Sequence, residues 1–234
     1  MKLTAHAFSD IGLVRERNED SFLADPDLGL FAVADGVGGV PGGDLASRTA
    51  MESLDRIVRE TPGPPDHTAW VVRMNDEVGR AGRQEGYGHR IASTLTLMDF
   101  GQGEATLAHV GDSGAFRIRG DQIERLSDVH NIESEAKARG DSIDRIGRYR
   151  FAITRCLGMK EPIIPQIRPV DCRTDDLFLL ATDGMTDLIK AREYIEMWQS
   201  EPEPAVYLET LLQRCKERGA HDNITAVAVR IDAL

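Results

Sequence analysis

Two segments of this sequence end an apolar run with a carboxylate and follow it with glycine. Leu30-Phe31-Ala32-Val33-Ala34 leads into Asp35-Gly36, and Leu177-Phe178-Leu179-Leu180-Ala181-Thr182 leads into Asp183-Gly184. Asp-Gly alone is ordinary turn chemistry. A turn needs no hydrophobic strand in front of it, however. A buried strand holds a carboxylate rigidly at its tip, and the glycine lets a carbonyl or a cation approach closely. Other acids sit in similar settings: Glu19-Asp20 opens one apolar stretch, Asp222-Asn223 opens another, and Asp112 follows His109-Val110-Gly111. Brought together, these carboxylates would repel one another unless a cation stood between them. Mg²⁺ and Mn²⁺ take oxygen ligands and keep several waters, so the donor set points to hard divalent ions. No His or Cys pair has zinc spacing.

The elements that must position these acids are short strands and paired helices. Residues 3–9, 21–24 and 28–34 read as strands, with Pro26-Asp27 at the turn between the last two. Residues 45–60 carry Leu45, Thr49, Leu54, Ile57 and Val58 on one helical face, with Asp44 placed to cap them. The rigid loop Thr61-Pro62-Gly63-Pro64-Pro65 precedes a second helix, capped by Asp66, whose apolar side is Trp70, Val71, Met74, Val78 and Ala81. Strands over 92–100, 104–110, 114–119 and 122–126 follow, and Gly101-Gln102-Gly103 and Gly120-Asp121 mark hairpins between them. Residues 127–154 are polar, with a short helical piece over 132–139. Strands resume at 163–170, 177–182 and 223–231. Two helices separate the last pair, the second with Val206, Leu208, Leu211, Leu212 and Cys215 inward. About ten strands with helices arriving in pairs imply an α+β fold, antiparallel sheets covered by helical hairpins. The whole of 1–234 reads as one domain, since no longer linker interrupts it.

Composition narrows the function classes. The chain has 28 Lys and Arg against 39 Asp and Glu, a formal charge of −11. That sign repels phosphate backbones and anionic lipid, which argues against nucleic-acid and membrane partners. The longest runs without a charged residue, 36–43 and 91–98, fall far short of the ~20 residues of a spanning helix. The N-terminus has no apolar segment of signal type. Three cysteines without CxxC spacing suit a reducing cytoplasm. No Gly-Lys dipeptide occurs, which excludes a P-loop.

Read together, the motifs resemble the metal-dependent type 2C protein phosphatases, in their compact bacterial form. The words that carry the resemblance are Gly12-Leu13-Val14-Arg15-Glu16-Arg17-Asn18-Glu19-Asp20 and Phe31-Ala32-Val33-Ala34-Asp35-Gly36-Val37-Gly38-Gly39. His109-Val110-Gly111-Asp112-Ser113, Ala181-Thr182-Asp183-Gly184-Met185-Thr186-Asp187 and Asp222-Asn223-Ile224-Thr225 complete the set in the family's order. The resemblance implies a four-layer α-β-β-α sandwich of two mostly antiparallel sheets. It implies that Asp35 bridges two Mn²⁺ or Mg²⁺ ions, that the Gly36 carbonyl ligates one, and that Asp183 and Asp222 hold the other. Glu19 would act through a metal-bound water, with Asp20 and Asn223 supporting the shell behind it. Asp112, with Asp183, would recruit a third, weaker ion, and Arg15 would grip the substrate phosphate. The reaction implied is direct attack on phosphorus by a metal-bridged hydroxide, releasing phosphate from phosphoserine or phosphothreonine. The partners implied are phosphorylated proteins, with the chain a cytoplasmic monomer antagonising a Ser/Thr kinase.

Several positions depart from the pattern. Val37 stands where some relatives have histidine, leaving the general acid unassigned; Gly114 replaces the usual arginine, and Ala92-Ser93-Thr94 a glycine-led version. Residues 127–154 correspond to the family's variable flap. Gly111-Asp112-Ser113-Gly114 also resembles the nucleophile loop of trypsin-like proteases, but the two long helical patterns contradict that fold. A phosphoprotein-binding relative without catalysis would lack a ligand position, whereas Glu19, Asp20, Asp35, Asp183 and Asp222 are all present. His109 reads as a satisfied core residue, and His221, though next to Asp222, makes no site by adjacency alone.

Overall fold

The computed structural model describes residues 1–37, 42–101, 104–141 and 147–234, and only the backbone of Arg148. In chain order its elements are β1 (Lys2–Asp10), β2 (Asp20–Asp25), β3 (Leu30–Asp35), α1 (Gly43–Glu60), α2 (His67–Gln84), β4 (Leu95–Asp99), β5 (Ala105–Val110), β6 (Gly114–Arg119) and β7 (Gln122–Arg125). They continue with α3 (Ile132–Arg139), a 3₁₀ turn at Gly147–Tyr149, β8 (Gln166–Val170), β9 (Leu177–Ala181), α4 (Asp183–Thr186), α5 (Ala191–Ser200), α6 (Pro204–Glu217) and β10 (Ile224–Ala233). The strands form two five-stranded sheets, ordered β1-β10-β9-β6-β7 and β2-β3-β4-β5-β8. Both are antiparallel throughout.

The apolar runs are explained by burial of both strand faces. In β3, Leu30, Ala32 and Ala34 pack under α1 and α2, while Phe31 and Val33 point into the layer between the sheets. In β9, Leu177, Leu179 and Ala181 face α5 and α6, while Phe178 and Leu180 meet Phe31 and Val33 across that same layer. Side chains alternate along a strand, so a strand buried on both sides reads as a continuous hydrophobic run. Each fully buried Leu or Phe contributes about 1.5–3 kcal/mol, which makes the strands that end in Asp35 and Asp183 among the stiffest supports available. The result is the α-β-β-α sandwich expected from the sequence.

Most elements match that reading, and the differences have local causes. Helix α1 is not capped by Asp44: its N-cap is Gly42, in a left-handed conformation (φ 90°), with no side-chain cap. Asp66 caps α2 as expected, accepting from the Ala69 N–H at 2.9 Å. The strand read over 92–100 shrinks to β4 because Ser93 instead bridges Gly36 and Leu157. The strand read from 163 begins only at Gln166, and in α6 Val206 turns outward, 40% exposed. The hairpin glycine Gly103, with Gln102, lies outside the described residues, as do Gly38 and Gly39.

Strands β5 and β6 belong to different sheets, so Gly111-Asp112-Ser113 must carry the chain from one layer to the other. Gly111 makes this crossing at φ +109°, and a Cβ there would stand 2.6 Å from Thr94 Cγ2. Only glycine combines that backbone with that contact.

Candidate active site

Asp35 is the last residue of β3, and its register partner across the ladder is Asp20, the first residue of β2. Like charges directly opposite one another destabilise a sheet, so this pairing is not there for strand stability. The Asp35 N–H donates to Thr94 Oγ1 at 2.9 Å, and Thr94 Oγ1 lies 2.9 Å from Ser113 Oγ. Gly36 continues past the tip with its N–H on the Glu19 carbonyl at 3.0 Å. A Cβ at Gly36 would collide with the Gly43 carbonyl at 2.3 Å, so the close approach of α1 requires glycine.

From the other sheet, Asp183 follows β9 and opens α4. Thr182 fixes it: its hydroxyl donates to Asp20 Oδ2 at 2.9 Å and accepts from the Thr225 N–H at 3.0 Å. Asp222 precedes β10, with Oδ1 on the Asn223 N–H at 2.8 Å and Oδ2 on Arg15 at 2.6 Å. Asn223 spends its whole amide on the 11–19 loop. It accepts from the Glu19 N–H at 2.8 Å and donates to the carbonyls of Ile11 and Arg17, each at 2.9 Å. Arg15 is thereby held at a half-open rim, its side chain 40% exposed. A cavity of about 340 Å³ lies here, lined by Arg15, Asp183, Gly184, Asp187, His221 and Asp222. A second, of about 330 Å³, is lined by Asp112, Arg125, Phe151, Asp183 and Asp187, on the side of the segment 127–154.

The electrostatics of this cluster are those of unneutralised acids. Burial pushes the Asp20 carboxyl up to about 7 against the hydrogen bonds from Thr225 and Thr182, and Asp183 and Asp222 add to the rise. Asp35 is driven well above its ordinary value by burial, then by Asp20 and Asp183. Asp112 rises to about 6, first from burial and then from Asp183. Asp183 and Glu19 move the same way, again chiefly from burial, with Asp222 and Asp44 their respective leading charge partners. Without a cation, every one of these groups resists ionisation, and a cation among them would reverse the shifts. Among the described residues, no three His, Cys, Asp or Glu side chains stand close enough to enclose an ion unaided. Mg²⁺-type ions need no such cage, because they retain waters and bind through one or two carboxylates. The all-oxygen donor set and its mutual repulsion therefore fit divalent cations.

All of the acids singled out from sequence converge except that Glu19 and Asp222 sit at the outer edge, Glu19 with Oε1 against Gly43 and Asp222 on Arg15. A family model described as protein phosphatase 2C matches residues 14–227. The chain belongs to that family. Protein phosphatase PhpP of Streptococcus pneumoniae is 26% identical over 236 residues, with 96% of each chain covered. The crystal structure of the Mycobacterium tuberculosis serine/threonine phosphatase PstP/Ppp superposes with a TM-score of 0.87 at 27% identity, covering 99% of both chains. The catalytic domain of PstP solved with two manganese ions superposes with a TM-score of 0.80 at 27% identity, covering 97% of both.

Within this phosphatase fold, the two ends of the segment 127–154 are tied together. The His130 carbonyl accepts from the Thr154 N–H at 2.9 Å, and the Asn131 side chain caps α3 through the Ser134 N–H at 2.8 Å. Residues 142–146 of that segment lie outside the described residues. His109 is the satisfied core residue expected. Nδ1 accepts from Thr96 Oγ1 at 2.9 Å, while Nε2–H is shared by the carbonyls of Asp128 (2.9 Å) and Gly111 (3.1 Å). Burial, with His130 and Arg125 nearby, lowers its pKa to about 3. Sequence reasoning passed over Thr94, Thr182, Arg125 and Asp187. Thr94 and Thr182 lay inside quoted motifs and could have been found; Arg125, in an ordinary amphipathic strand, carried no signal.

Proposed function

We propose that this chain removes phosphate from phosphoserine and phosphothreonine in proteins at a divalent-metal centre built on Asp35, Gly36, Asp183 and Asp222. It is a metal-dependent protein serine/threonine phosphatase of the 2C family. Asp35 and the Gly36 carbonyl would hold the ions from the β3 side, Asp183 and Asp222 from the β9–β10 side, with Glu19 acting through water. Mn²⁺ and Mg²⁺ both suit these donors, and Asp112 with Asp183 would take a third, weaker ion. When bound, such ions lower the pKa of a water and draw charge from the phosphoryl group. The chain's own residues do the rest. Arg15 offers a planar fork at the rim where phosphoryl oxygens would lie, matching two of them at once. Asn223 fixes the loop that carries Arg15, and Thr182 orients Asp20 behind the cluster. The substrates on this reading are phosphorylated cytoplasmic proteins, the opposing activity is a Ser/Thr kinase, and the chain works as a monomer.

The observation that carries the reading is the meeting of Asp20, Asp35, Asp112 and Asp183 from the two sheets, each with its carboxyl pushed up by burial and by at least one neighbouring acid. A protein gains nothing in stability from that arrangement. The test is Asp35→Asn, which removes one bridging charge and little volume. Turnover of a phosphothreonine peptide should fall at least 100-fold while the thermal midpoint holds or rises, since a buried repulsion is relieved. Activity within a few-fold of wild type would refute the assignment.

A further inference from the structure

Arg125 ends β7 and sits half-buried between the flap and the acids. Its Nε–H donates to the Ser127 carbonyl at 3.1 Å, at the flap's first residue. One terminal nitrogen donates to the carbonyls of both Asp112 (2.8 Å) and Ser113 (3.1 Å). The guanidinium lies 5.3 Å from the centre of the Phe116 ring, and the residue lines the cavity that Asp112, Asp183 and Asp187 share. The other terminal nitrogen makes no hydrogen bond to the described residues. Burial alone would disfavour so enclosed a cation, and Asp112 and Asp187 are among the acids that offset it.

The turn that Arg125 holds is the crossing between the sheets. Its Gly111 end is clasped by His130, whose Nδ1 accepts the Gly111 N–H at 3.1 Å and whose N–H donates to the Gly111 carbonyl at 2.8 Å. Its Ser113 end runs on through Thr94 to the Asp35 N–H. Arg125 secures the two carbonyls in the middle, which lie on either side of the Ser113 Cα, and the Ser127 hydroxyl joins it on the second at 3.3 Å. A lysine could neutralise charge there but could not fork between two carbonyls and a third.

We propose that Arg125 is a positioning residue of the phosphatase site, clamping the Asp112–Ser113 backbone so that the Asp112 carboxylate is presented to the metal centre. This rests on the phosphatase reading above and on Asp112 serving the weakest ion. Residues one shell behind metal ligands cost ten- to a hundredfold in affinity or activity when removed. The experiment is a double-mutant cycle of Arg125→Gln with Asp112→Ala, read in two ways. Calorimetric titration with Mn²⁺ alone should show the weakest binding step of Arg125→Gln weakened about tenfold, with the tighter steps unchanged. For phosphothreonine-peptide hydrolysis, Arg125→Gln should lower kcat about tenfold at unchanged KM, and should add less than twofold once Asp112→Ala is in place. If Arg125→Gln does not fold, Arg125→Lys, which keeps the charge and loses the fork, should show the same weakened Mn²⁺ step. An unaltered Mn²⁺ step, or an equal loss of kcat in both backgrounds, would overturn the proposal. The Mn²⁺ titration needs no turnover, so failure of the phosphatase reading shows itself separately, as a wild-type protein that binds Mn²⁺ and releases no phosphate.

Discussion

Buried His109 gives the fold a defined weakness toward acid whose size follows from its surroundings. The ring is fully buried, with one nitrogen accepting from Thr96 and the other donating to two carbonyls, so no site remains for a second proton without breaking a bond. Its pKa lies at about 3 in the folded chain against 6.5 for the free side chain. The unfolded chain therefore binds the proton first. Stability from this group is complete above about pH 6.5 and is lost steadily as pH falls toward 3. At about 1.4 kcal/mol per pH unit, His109 alone removes about 2 kcal/mol between neutrality and pH 5. Buried acids such as Asp20 and Asp112 have raised pKa values and act in the opposite sense, so the wild-type curve by itself does not isolate the effect. A comparison does. Gln at this position keeps an N–H toward the carbonyls of Gly111 and Asp128 and does not titrate. Urea unfolding of wild type and His109→Gln at pH 8 and pH 5, followed by far-UV circular dichroism, should show the variant less stable at pH 8 and the gap narrowed by about 2 kcal/mol at pH 5. A gap that stays constant across that range would mean that His109 titrates alike in both states, and the burial argument would fail.

Other consequences are local. Gly184→Ala would place a Cβ 2.0 Å from the Asn223 carbonyl, so α4 must shift from β10. A loss of about 1–3 kcal/mol is expected in thermal unfolding, and a neutral result would contradict the packing described. Tyr207 buries a hydroxyl that has no hydrogen-bond partner among the described residues. Tyr207→Phe should leave the urea midpoint unchanged or raised, whereas a loss above about 1 kcal/mol would show that the hydroxyl is bonded. Asn223→Ala releases the carbonyls of Ile11 and Arg17 and the Glu19 N–H together. It should cost about 2 kcal/mol and raise KM through loss of Arg15 placement, and an unchanged KM would detach that loop from the substrate.

The legible parts of this fold were those in which one residue property is repeated or rigidly ordered. The doubly buried strands β3 and β9 show as unbroken apolar runs, and their tips show as Asp-Gly, so both halves of the acid cluster could be read directly. The α6 face was read correctly at Leu208, Leu211 and Cys215 and wrongly at Val206, because one extra apolar residue in the first turn does not say which way the stripe winds. Asp44 failed as a cap because Gly42, packed against Ile91 and Tyr87, starts the helix earlier. Arg125 was invisible because its role depends on three carbonyl groups brought to it by a crossing between sheets, and backbone acceptors leave no trace in side-chain pattern. No described helix is long and apolar enough to cross a membrane.

The most direct test of the account is phosphate release from a phosphothreonine peptide by the purified chain, with Mn²⁺ added, then EDTA, then excess Mn²⁺. The unneutralised acids at Asp20, Asp35, Asp112 and Asp183 require that release appear with Mn²⁺, vanish with EDTA and return on readdition. Release that persists in EDTA, or its absence while calorimetry shows Mn²⁺ bound, would contradict a metal-dependent phosphatase centre in this fold.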